Sequence, residues 1–80
     1  MEKTIAVVAI IVNDKDAVEK INSLLHTFGE YIIGRIGVPY REKNLSVISV
    51  IMDAPQPVIN PLSGKLGMIN GVSSKVLITK

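Results

Sequence analysis

The sequence predicts an α+β domain in which two helices lie on one face of a four-stranded antiparallel sheet, in the chain order βαββαβ. Three observations predict it. Runs rich in Val and Ile occupy residues 4–12, 30–40, 45–52 and 72–79, the composition of buried strands. Two intervening stretches repeat apolar residues at helical spacing. Asn, Asp, Gly and Pro stand at the junctions, where the chain must turn.

The first run, residues 4–12, is almost unbroken β-branched and small apolar sequence, too short for a membrane span. Asn13 or Asp14 then offers a side-chain oxygen to the free N–H groups of a helix start. Asp16 and Glu19 suit the positive end of that helix. Ala17, Val18, Ile21, Leu24, Leu25 and Phe28 make its apolar face, and Gly29 is the expected left-handed stop. The second strand carries Gly34 and Gly37, which suggest a bulge or a close backbone approach. Pro39 lacks an N–H, which confines the strand end to an edge or an exit. Residues 41–44 form a polar turn before the third strand, and Asp53 follows that strand. Pro55 and Pro57 break the pattern ahead of a second helix with apolar Val58, Ile59, Leu62, Leu66 and Ile69. Pro61 lies within it, so this helix either starts at Asn60 or begins earlier and kinks. Gly71 ends it, and the fourth strand follows. Right-handed crossovers fold this order into the ferredoxin-like arrangement.

A single domain over residues 1–80 is expected. At this length a chain buries only about 60% of its unfolded surface. With no Cys and one His, neither disulfides nor a structural zinc of the Cys/His type is available. Apolar residues make up 48% of the chain and aromatic residues 4%, so the core is aliphatic and some apolar surface awaits a cover. The net charge of +2 comes from interspersed charges without a basic run, which argues against a direct nucleic-acid partner. No targeting segment is legible, and a cytoplasmic location without a membrane partner is expected.

The sheet face away from the helices says most. Strands covered on one side should alternate apolar and polar residues. The first strand instead sets Ile5, Val7, Ala9 and Ile11 on one face and Ala6, Val8, Ile10 and Val12 on the other. In the third, Ile48, Val50 and Met52 oppose Leu45, Val47 and Ile51, softened only by Ser46 and Ser49. The fourth opposes Val72, Val76 and Ile78 to Leu77 and Lys75. Nothing within the chain is left to cover the second face, so a homo-oligomer, a dimer or a tetramer, is expected.

Few residues suit catalysis. His26 falls with Glu19, Asn22 and Ser23 on the polar side of the first helix, remote from any paired nucleophile. Ser63, Gly64 and Lys65 resemble the end of a phosphate loop, but Ile59 stands where its leading Gly belongs and Leu66 where Ser or Thr must follow. No enzymatic activity, no cofactor and no metal are expected. The segment with Arg35, Gly37, Pro39 and Tyr40 is dense in unusual residues. It suits an anionic small molecule or a subunit contact, or else an edge strand with a structural turn. Other users of this fold lack their signatures here. The first and third strands carry no stacking aromatics for RNA, there is no paired-cysteine metal loop, and the loop after the first strand has no Arg for acylphosphatase-like chemistry.

The string Gly34-Arg35-Ile36-Gly37-Val38-Pro39-Tyr40, then Ser46-Val47-Ile48-Ser49-Val50 and Asp53-Ala54, then Leu62-Ser63-Gly64-Lys65-Leu66-Gly67 and Gly71-Val72, resembles one small family. These are the regulators of the iron-only hydrogenase system, which have an ACT-like, ferredoxin-type fold. The resemblance covers residues 3–75 and implies a cytoplasmic accessory or sensory domain tied to hydrogenase maturation or expression. The ending also resembles the C-terminal domain of nickel-responsive repressors, but the His and Cys ligands of that metal site are missing, as is the DNA-binding segment. ACT domains bind amino acids in the loop after the first strand, at a subunit interface. Asn13 and Asp14 stand there, without the Pro-Gly often found in that loop. The reading is a homo-oligomeric regulatory domain with a small-molecule ligand near Asn13, Asp14, Arg35, Gly37 and Tyr40. The alternative is a structural module that docks on a larger protein through the apolar sheet face.

Overall fold

The structure, a computed structural model, describes residues 2–79. Strand β1 (Lys3–Val12) runs through the sheet centre, and burial alternates along it residue by residue. Its even-numbered residues Ala6, Val8 and Ile10 are fully buried. A 3-10 turn (Lys15–Ala17) follows, then helix α1 (Val18–Thr27). Strand β2 (Ile32–Tyr40), a 3-10 turn (Arg41–Lys43), strand β3 (Leu45–Pro55), helix α2 (Gln56–Gly67) and strand β4 (Val72–Ile78) complete the order. The sheet order is β2-β3-β1-β4, with every neighbouring pair antiparallel. This is the predicted ferredoxin-like α+β fold, with β2 and β4 at the edges.

One core joins the sheet to both helices. Ile21 and Leu25 of α1, and Ile59, Leu62 and Leu66 of α2, lie against Val8, Ile10, Val50 and Met52. The helical residues recur at three and four positions, so each helix turns one stripe to the sheet. Burying one such aliphatic side chain contributes about 1.5–3 kcal/mol. Lys65 Nζ lies 5.8 Å from the centre of the Phe28 ring, linking α2 to the end of α1.

Several local details depart from the sequence reading. Asp14 caps the 3-10 turn rather than α1 itself: the Asp16 N–H donates to Asp14 Oδ1 at 3.0 Å. Gly29 is not a left-handed stop. The chain instead tightens into a 3-10 turn (Gly29–Tyr31), in which the Tyr31 N–H donates to the Phe28 carbonyl at 3.0 Å. That bond satisfies the helix end without a positive φ. β3 runs on past Met52 through Pro55, because Lys3, Thr4 and Ile5 of β1 offer it partners. The bulge falls between Ile32 and Gly34, and the ladder is regular through Gly37. Helix α2 takes the earlier of its two starts, at Gln56, and carries Pro61 inside. The missing Pro61 N–H leaves the Pro57 carbonyl without its helical donor.

Gly71 does adopt the left-handed region, at φ +80°. A Cβ there would collide with the Asp14 Cβ, and the Asn13 N–H donates to the Gly71 carbonyl at 2.7 Å. The turn into β4 is thus seated on the loop that leaves β1. Among the described residues no helix is long and apolar enough to cross a membrane. No group of three or more His, Asp or Glu among them could hold a metal ion.

Candidate functional site

Cross-strand pairing places residues on faces, since directly opposed residues point the same way. Val7 lies between Ile51 and Leu77, and Ile51 pairs in turn with Gly34. Ala9 lies between Ser49 and Lys75, with Ile36 beyond Ser49. Ile11 lies between Val47 and Ser73, with Val38 beyond Val47. These three rows form the face away from the helices, and none of the described elements covers it.

Seven of the twelve positions in these rows carry large apolar side chains, and Gly34, Ala9, Ser49, Ser73 and Lys75 make up the rest. Ile5, Ile11 and Ile51 are 40–42% exposed although they lie on central strands, and Ile36 and Leu77 on the edges reach 67% and 71%. Their opposite-face neighbours Ala6, Val8, Ile10 and Val50 are fully buried. The strand charges on the open face are few and peripheral: Lys75 is on an edge strand, and Lys3 and Asp53, the latter paired with Ile5, lie near the far end of the ladder. Two apolar rows flank a middle row of smaller side chains around Ala9 and Ser49, and the charges stand at the margins, as in the anatomy of an interface.

At the other end of the ladder, where β1 leaves the sheet, lies a cleft of about 440 Å³. Val12, Val18, Pro39 and Leu45 supply its apolar lining, and Ser46, Asn44 and Tyr40 its neutral polar groups. Lys15 and Arg41 also line it, and no carboxylate does. Two 3-10 turns bring these cations to one place: Lys15 opens the turn after β1, and Arg41 opens the turn between β2 and β3. Asn44 ends that second turn at φ 55°, the left-handed region that Asn tolerates.

The five residues singled out from the sequence are distributed over this structure. Tyr40 lines the cleft, and its hydroxyl donates to Glu42 Oε2 at 3.2 Å. Asn13 and Asp14 precede the cleft residue Lys15, and the structure engages them in the Gly71 contact and the turn cap. Arg35 pairs with Val50 in the middle of the β2 ladder, on the helix side. Its Nη2 donates to Asn22 Oδ1 of α1 at 3.0 Å. It lines a separate hollow of about 300 Å³ with Asn22, His26 and Gly29. Five residue steps along the strand separate it from Tyr40, about 17 Å. Gly37 lies between them in the ladder, paired with Ile48. The cations Lys15 and Arg41 were not singled out from the sequence. Each adjoins a residue that was, but only the sheet order shows that they share a cleft.

The family model described as "Iron-only hydrogenase system regulator, putative", the TM1266-like family, matches residues 4–76. The chain belongs to the TM1266-like family. Among solved structures, it is similar to the uncharacterized protein TM1266 from Thermotoga maritima, at 39% identity and a TM-score of 0.94. That match covers 99% of this chain and 100% of the other. No curated protein matches. The TM1266-like assignment agrees with the motifs along β2, β3 and α2 on which the resemblance rests.

Proposed function

We propose that the chain is a small cytoplasmic regulatory domain of the iron-only hydrogenase system, without catalytic activity. It assembles with copies of itself through the open sheet face and responds to a small molecule bound at the end of the sheet. The family description supports the regulatory role. The observation that carries the assembly is the exposure of Ile5, Ile11, Val47 and Ile51 on central strands. Four strands at about 4.8 Å and nine residues at about 3.3 Å give a projected face of roughly 570 Å². A standard interface takes about 800 Å² of accessible surface per partner, the same order. A two-fold contact uses one patch twice, so a single self-complementary face suffices. Regulation follows when the ligand binds one assembly state better than another.

Native mass spectrometry of the purified protein over a range of concentrations tests this reading. The expected result is an even-numbered oligomer, with added mass where the ligand survives purification. A monomer at every concentration refutes self-assembly and transfers the sheet face to a different protein partner.

A further inference from the structure

The cleft at the end of the sheet has a composition that specifies a class of ligand. We propose that it binds a small organic anion, whose carboxylate or phosphate group is held by Lys15 and Arg41 and whose apolar body lies against Val12, Val18, Pro39 and Leu45. This rests on the ligand-responsive part of the proposed function and names the ligand's chemistry.

Three features of the cleft carry the inference. First, its volume of about 440 Å³ falls within the usual range of small-molecule sites, and it is bounded by elements from distant parts of the chain. Second, both charged residues in the lining are cations. No carboxylate is in the lining: Asp14 caps its own turn, and Glu42 lies at the rim, where it accepts from the Tyr40 hydroxyl. An anion entering the cleft therefore meets two cations in its lining, with one carboxylate, that of Glu42, at the rim beside Tyr40. Arg presents a planar fork that suits a carboxylate or a phosphate, and Lys adds a mobile point charge. Third, the apolar side of the cleft is too extensive for an inorganic ion alone. Val18 and Leu45 are half-buried and Pro39 is exposed beside the buried Val12, so a ligand body that displaces water from these three gains hydrophobic contact. Ser46 and Asn44 add neutral groups able to orient the ligand. The other hollows lack this combination. The one beside Arg35 has its guanidinium already bonded to Asn22, and the one along Glu19, Lys20 and Ser23 lies on α1 alone.

The test is a titration of the isotopically labelled protein, followed by amide chemical shifts, with benzoate, its neutral counterpart benzamide, and phenyl phosphate. Benzoate or phenyl phosphate is expected to shift the amides of Lys15, Val18, Asn44 and Ser46 saturably, and benzamide to bind more weakly by a factor of about ten or more. The tighter of the two anions identifies the anchoring group as carboxylate or phosphate. The double variant Lys15→Gln/Arg41→Gln is expected to lose at least tenfold in affinity for the anion. The inference is overturned by equal affinity for benzoate and benzamide, by shifts that map away from the cleft, by no saturable shift with either anion, or by a double variant that binds as the parent does. Subunit counting on the same samples separates the two readings. A monomer that binds the anion in the cleft keeps this inference and removes self-assembly, and an oligomer with an indifferent cleft does the reverse.

Discussion

Ile51→Asn is the sharpest perturbation of the open sheet face. Ile51 sits on β3 between Val7 and Gly34 and is 40% exposed. Complete burial of an Ile is worth about 1.5–3 kcal/mol, so covering its exposed part contributes about 0.6–1.2 kcal/mol per copy. A two-fold contact counts this twice. Asn loses that gain, and each buried amide without a partner costs about 1–3 kcal/mol more. The sum is at least about 3 kcal/mol, which weakens association by about a hundredfold or more. Within the isolated subunit the position already faces solvent, and the substitution costs only about 0.5 kcal/mol there. Sedimentation velocity over a concentration series reads the outcome. The variant is expected to dissociate at concentrations where the parent remains assembled, while Glu19→Asn on the exposed side of α1 behaves as the parent. An Ile51→Asn protein that sediments as the parent at every concentration refutes the reasoning, because no interface through this face tolerates a buried amide at no cost.

Ile10→Ala acts on the opposite side of the sheet. Ile10 of β1 is fully buried in the core between the sheet and the helices, so chemical denaturation should show a loss of about 2–5 kcal/mol. Gly71→Ala forces a positive φ on a residue with a Cβ and drives that Cβ into Asp14. A loss of about 1–3 kcal/mol is expected, and Asp14→Gly in the same chain should recover part of it in a thermal melt. For Arg35 and Asn22, whose side chains share one exposed hydrogen bond, a double-mutant cycle with Arg35→Ala and Asn22→Ala should give a coupling below about 1 kcal/mol.

The architecture was legible because its signals were periodic. The even residues of β1 pack on the helices and the odd ones form the open face, as the unbroken apolar run from Ile5 to Val12 required once helices were confined to one side. Details set by partners were less legible. The strand character of Asp53, Ala54 and Pro55 depends on Lys3, Thr4 and Ile5 standing opposite, and local propensity argues against it. Pro61 allowed two helix starts, and the packing of Val58 and Ile59 on the core belongs to the earlier one. Gly29 carried a left-handed signal that the structure does not use, since a 3-10 turn satisfies the helix end. The cleft was the least legible part. Lys15 and Arg41 belong to separate turns, and nothing in their local sequence marks them as neighbours. Only the β2-β3-β1 order, with Val12 opposite Ser46 and Ser46 opposite Pro39, brings the two turns to one end of the sheet.

The central claim is that copies of this chain cover the open sheet face, and methyl resonances of the purified protein in the presence of a soluble paramagnetic relaxation agent test it most directly. The account predicts that the methyl groups of Ile11, Val47 and Ile51 are shielded from the agent as well as those of Val8 and Val50 in the core. Strong broadening of Ile11, Val47 and Ile51, with the core methyls untouched, would show the face open to solvent and contradict it.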